Sequence, residues 1–464
     1  MPALAVKTER PGTASTVGAS PEGVLTPEDR TRSGDRRRVL EARHRGRRFG
    51  LLWLLVGPGI LVLLGENDGP SMLSYAASGA TYGIGFFLPF IAVTFVAAVV
   101  VQEMAMRVGA VTHRGYGELI FQRFGGFWGW ISVIDLLATN LVTLITEFIA
   151  IRVGMSFFGV PAPLAVGSGV LLVAFSVAGG RYWRWERIAL GLSVFNLLFV
   201  VVAVMSRPNP AALAHAFATW SPLPSGSLQL FLLILASNIG ATVTPWMVFF
   251  QQSAVVDKGM TPRDIPQARI DTILGGLLAG AAGCGALVAA SVLFVHHVDT
   301  SKLQAGTGFA QALQPFIGYP GAAIFSLGLI EAGALAIMTI SASTAYALGE
   351  AVKGPHSFNR KLADAPSFYA FNLGVAIVAA AVVLIPGAPL LSITLNANLL
   401  AVVLMPAALV FLIMLANDRE LMGPRSNPGW LNWIGIAVAV LVGLAGTSYA
   451  VVAFFNAVGW HFIS

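Results

Sequence analysis

Long apolar runs alternate with short polar stretches along most of the chain. Read by length, at about 20 residues per crossing, they predict about eleven membrane spans. Their approximate limits are 51–80, 82–108, 127–157, 161–179, 183–206, 228–256, 270–296, 320–350, 366–386, 390–416 and 430–458. The breaks carry turn punctuation at Pro161, Pro163, Gly179-Gly180, Pro208, Pro210, Pro366, Pro386 and Gly423-Pro424. Two spans do not read through. The first is interrupted by Gly65-Glu66-Asn67-Asp68-Gly69-Pro70-Ser71 and the sixth by Asn238-Ile239-Gly240-Ala241-Thr242-Val243-Thr244-Pro245. Carboxylates at membrane depth are costly and mark ion or substrate paths. Open backbone is tolerated there only where it lines a cavity or is buried in protein. Broken helices in first and sixth place predict two five-helix repeats of opposite orientation, spans 1–5 and 6–10, with one peripheral helix. Such a fold places its site between the breaks, near the midplane.

Loop charge tests that count. Basic residues gather after even-numbered spans: Arg107, Arg114 and Arg123; Arg181, Arg184 and Arg187; Lys258, Arg263 and Arg269; Lys353, Arg360 and Lys361; Arg419 and Arg425. The opposite loops hold Arg207 and Lys302. This asymmetry predicts a cytoplasmic N-terminus and an extracellular C-terminus in a multi-pass protein of the cell membrane. Residues 1–50 read as a disordered basic cytoplasmic tail and 51–464 as the transporter domain. The arginines from Arg30 to Arg48 fit contact with anionic lipid better than a nucleic-acid-binding arm, and no nucleic-acid partner is expected.

Composition agrees. The chain is 56% hydrophobic and 11% charged, against about 25% charged in soluble domains. Its one cysteine, Cys284, excludes an internal disulfide and a cysteine-built metal site. There is no nucleophile elbow, P-loop or His-Glu-x-x-His pattern, so no enzyme activity is expected.

The residues then reach a known family. Gly57-Pro58-Gly59 followed by Asp68-Gly69-Pro70-Ser71, with Gly79-Ala80 beyond, resembles the first helix of the Nramp metal-ion transporters, which carries Gly-Pro-Gly and then Asp-Pro-Gly-Asn. Ala138-Thr139-Asn140-Leu141 resembles a third-helix Ala-Thr-Asp-Leu, and Gly240 to Pro245 lies where the family has an Ala and then Met-Pro-His. The resemblance implies an all-α LeuT-type fold of about eleven helices and a metal site made by Asp68, Ser71, the carbonyl of Ala241, Thr244 and Asn398, with Glu66 adding charge. Ser71 replaces the family's Asn, Thr244 its Met and Asn398 its Gln. Losing the thioether removes a soft ligand and leaves hard oxygens. Such a set suits Mg²⁺ that keeps several waters, with Mn²⁺ next. The chain is therefore placed nearest the Nramp-related magnesium transporters. The transported ion and the lipid bilayer are the expected partners, with no cofactor, and a monomer is expected.

Proton coupling is expected to be weak or absent. Asn140 and Thr143 stand where the family has third-helix acids, Trp246 and Gln251 where it has sixth-helix histidines, and no paired Arg marks the ninth span. Asp135 and Glu147 are carboxylates that would rebuild a path. Simpler roles stand beside these. Asp68 and Glu66 would cap a half-helix, and Ser71, Thr244, Asn238, Asn396 and Asn398 would bond neighbouring backbone or helices. Glu147 would pair with Arg152, and Glu331 has no assignable partner. His296-His297 reads as solvated surface, and Trp183, Trp185, Trp430 and Trp433 as interfacial anchors. The alternatives are a proton-coupled Mn²⁺, Fe²⁺ or trivalent-metal carrier of the same family, an organic-cation or amino-acid carrier, and a sensor that no longer transports.

Overall fold

The computed structural model describes residues 37–46, 48–177, 181–225, 228–299, 307–386 and 390–457. The tail up to Arg36, Arg47, the Gly179-Gly180 break and Lys302 lie outside the described residues. Among those described there is no strand. Among the described residues nine helices are long and apolar enough to cross a membrane, and Ala162–Val177 is a shorter apolar helix. With the broken first span these match the expected number.

The first span is two helices, Pro58–Gly65 and Gly69–Tyr82. The first half ends as the Glu66 N–H reaches the Val62 carbonyl at 3.2 Å. Asp68 is extended (φ −74°, ψ 175°) and caps the second half, its carboxylate accepting from the Ser71 N–H at 2.9 Å. Pro70 opens that half, where a missing N–H is harmless. The sixth span repeats the device with Leu228–Gly240 and Pro245–Asp257, where Thr244 is held extended (φ −124°, ψ 155°) ahead of Pro245.

Packing shows the inverted relation. Gly69–Tyr82 lies along the seventh span, Ile265–Val295, while Pro245–Asp257 lies along the second, Phe87–Thr112. The third span, Gly126–Ser156, packs along the eighth, Thr307–Ala351. Each broken helix thus has one half braced by the helix that follows the other.

A buried polar cluster holds the base of the first span. The Asp271 carboxylate accepts from the N–H groups of Gly57 (3.0 Å), Gly59 (2.7 Å) and Ile60 (3.4 Å). Lys258 Nζ donates to both Glu186 oxygens at 2.8 Å and to the Val56 carbonyl at 2.7 Å. A side chain at position 57 would enter the Glu186 carboxylate, so only Gly fits. Removing one partner of such a buried pair typically costs about 3–5 kcal/mol.

Several details differ from the pattern of the sequence. Residues 37–44, inside the basic tail, are helical. Val39 is buried with Leu51, Leu55, Met106 and Ile265, and Arg43 pairs with Asp264 at 2.7 Å. An arginine-rich segment hides this because one apolar face suffices to dock it. A 3₁₀ turn, Val194–Leu197, interrupts the fifth span, Tyr182–Met205. The eighth span is kinked at Gly318 (φ 71°). Trp185 is not interfacial: it is buried and stacked on Phe358 at 5.0 Å. Trp430 and Trp433 are exposed, as anchors would be. His296 ends the seventh span and stacks on Phe316 at 4.6 Å.

Candidate functional site

Both gaps open toward one another. Thr244 Oγ1 donates to Glu66 Oε2 at 2.7 Å and links the two breaks directly. The other Glu66 oxygen and the Ser71 hydroxyl are buried without a hydrogen bond of normal geometry, the Trp246 side chain lying near Glu66 and the Ser71 hydroxyl near the Asp68 carboxylate. Asp68 uses one oxygen on the Ser71 N–H. The third span brings Glu147, whose Oε2 accepts from the Gly69 N–H at 2.9 Å. Its carboxyl is within interaction range of Asp68 and of Glu66. Gly69 is needed because a Cβ there would run into Ala150 and lie 3.3 Å from Glu147. Glu66, Ser71, Ala241 and Glu147 are 0% exposed, Asp68 1% and Thr244 2%, so the gap is closed to both sides.

The other predicted residues stand close by with partners of their own. The Ala241 carbonyl accepts from the Tyr75 hydroxyl at 2.7 Å, and that hydroxyl lies 3.0 Å from Thr242 Oγ1. Asn398 donates to Ser74 Oγ at 3.0 Å, one turn beyond Ser71, and Ser74 meets Ser237 at 2.7 Å. Its amide nitrogen therefore serves the second half of the first span. Asn238 joins helices as expected, donating to Ser78 at 2.7 Å. Among the described residues no group of three His, Cys, Asp or Glu side chains is placed to hold a metal together. A cation here would draw hydroxyl and carbonyl oxygens as well as acids, with the Thr244–Glu66 bond opening to admit it.

A family model described as Natural resistance-associated macrophage protein-like matches residues 59–451. The chain belongs to the Nramp family. Similar proteins include the Divalent metal cation transporter MntH of Mycobacterium tuberculosis (strain CDC 1551 / Oshkosh), 26% identical over 414 residues, covering 84% of this chain and 90% of the relative. MntH of Granulibacter bethesdensis is 25% identical over 423 residues, covering 87% and 89%. In fold this Nramp chain resembles the manganese transporter of Eremococcus coleocola, with a TM-score of 0.72 and 20% identity over 88% of each chain. It also resembles MhsT in complex with L-phenylalanine, with a TM-score of 0.55 and 12% identity over 85% of this chain and 97% of that one.

Within this Nramp frame two features escaped sequence reasoning. The pairing of Glu147 with Arg152 is corrected: Arg152 donates to the Val383 carbonyl at 3.0 Å, while Glu147 faces the gap. The clue was spacing, since Glu147 lies four residues beyond Thr143 and shares its helix face. Glu331 has a partner after all, Asn196, at 3.2 Å. Nothing in the apolar run around Asn196 announces it.

Proposed function

We propose that this Nramp protein carries hard divalent cations across the cell membrane through the gap between its first and sixth spans, Mg²⁺ ahead of Mn²⁺. Family membership and the MntH relatives support divalent-metal transport. The observation that carries the ion preference is the chemistry of the gap. Thr244 is bonded to Glu66, Asp68 caps the second half-helix at Ser71 and Glu147 binds the Gly69 N–H, so each of these side chains offers oxygen to the gap. Hard donors favour Mg²⁺ and Mn²⁺ over thiophilic ions. Proton movement is small in this reading, because Asn140 donates to Thr344 at 2.9 Å and neither it nor Gln251 titrates. Uptake by the purified protein in liposomes tests it. Mg²⁺ and Mn²⁺ enter, internal pH holds steady, and Asp68→Ala lowers the rate at least about tenfold. Unchanged uptake in that variant would refute the site.

Glu147 favours a second reading, in which metal entry is proton-coupled. Its carboxyl lies beside Asp68 and takes part in none of the ion pairs among the described residues. Internal acidification during Mn²⁺ entry that disappears in Glu147→Gln would select this alternative.

A further inference from the structure

The gap in the first span has a second face. Asn67 stands between Glu66 and Asp68, yet its side chain leads to the fifth and seventh spans. Its Nδ2 donates to Asn196 Oδ1 at 2.8 Å and to the Ala279 carbonyl at 2.9 Å. Asn196 Nδ2 donates to Glu331 Oε2 at 3.2 Å and reaches the Asn67 carbonyl at 3.5 Å. All three residues are buried, Asn67 and Asn196 at 0% and Glu331 at 3% exposure. Asn196 sits in the 3₁₀ turn that interrupts the fifth span, and 3₁₀ geometry inside a helix often marks a functional hinge.

The unused atoms are the informative ones. Glu331 Oε1 and Asn67 Oδ1 are buried and have no hydrogen-bond partner. With Glu331 ionised both are acceptors, and the cluster then lacks positive charge rather than oxygen. Glu331 takes part in none of the ion pairs found among the described residues. A lone carboxylate at membrane depth is unfavourable and calls for a counter-charge. A single positive charge leaves the cluster neutral, whereas a divalent ion would leave one charge unbalanced in low dielectric. Carboxylate, amide and carbonyl oxygens are hard ligands.

We propose that Glu331, Asn196 and Asn67 form a second cation site, which binds one alkali-metal ion. Through Asn67 the ion orders the 66–68 turn that presents Glu66 and Asp68. The site is separate from the divalent-metal reading and is tested without transport. A ligand that binds only the folded state raises its stability. Thermal unfolding of the full chain in detergent, free of divalent metal, is compared in choline, lithium, sodium and potassium chloride at equal ionic strength. At least one alkali salt raises Tm over choline by about 2 °C or more. Glu331→Gln, which keeps the shape, removes the increment, and Asn196→Ala serves as the second variant should Glu331→Gln fail to fold. Asp68→Ala keeps the increment, which separates this site from the first. No increment in the wild type, its survival in both variants, or its reproduction in choline by acidification alone would overturn the proposal.

Discussion

Thr244 donates its hydroxyl proton to Glu66, and that one bond is the direct polar tie between the two breaks. By the sequence resemblance, the family carries a Met at this position. Thr244→Met would remove the donor to a buried carboxylate, a loss of about 1–3 kcal/mol, and add a soft sulfur. The expected outcome is a shift of the Mn²⁺ to Mg²⁺ uptake ratio toward Mn²⁺ by about tenfold or more, with thiophilic ions such as Cd²⁺ newly accepted, read by competition in liposomes. Much at this scale was legible. A carboxylate beside Gly-Pro in an apolar run is unusual enough to locate the break at Asp68 from the residues alone. The environment of Glu147 was not, because its pairing with Arg152 was inferred from nearness along the chain. Five residues on a helix turn about 140°, so the two side chains leave on different faces.

Among the elements, the short helix Pro58–Gly65 is held at its base by Asp271, Lys258 and Glu186. Lys258→Met leaves the Glu186 carboxylate buried without its counter-ion. We expect a loss of about 3–5 kcal/mol, measured by denaturant unfolding. Lys258→Met combined with Glu186→Leu should recover a large part of it, because two apolar groups leave no unpaired charge. Helix ends were legible wherever Pro or Gly punctuated them, as at Pro245 and Pro366. The 3₁₀ turn at Val194–Leu197 was not. It carries no Gly or Pro, and its cause is a tertiary one, the pull of Asn67 and Glu331 on Asn196.

For the molecule as a whole, eleven spans with the N-terminus inside would put the two termini on opposite sides of the membrane. A C-terminal epitope should be cleaved by protease added to intact cells, while an N-terminal one survives until the cells are opened. Light scattering in detergent should give the mass of one chain. The span count was legible from length, because each apolar run is long enough for one crossing. The reciprocal bracing of each broken helix by the partner of the other was not, since no pattern in the apolar runs says which spans touch.

The first half of the first span, Pro58–Gly65, is 8 residues long, or about 12 Å at 1.5 Å per residue. The hydrocarbon core is about 30 Å thick. If the clamp at Gly57 marks one boundary, the acids rest about two-fifths of the way across. A doubly charged ion arriving from the far side would then fall through about three-fifths of the transmembrane voltage before it settles. At about 2.3 kcal/mol per charge per 100 mV, this amounts to nearly 3 kcal/mol. The resting cell would thus draw the cargo inward electrically at the binding step itself.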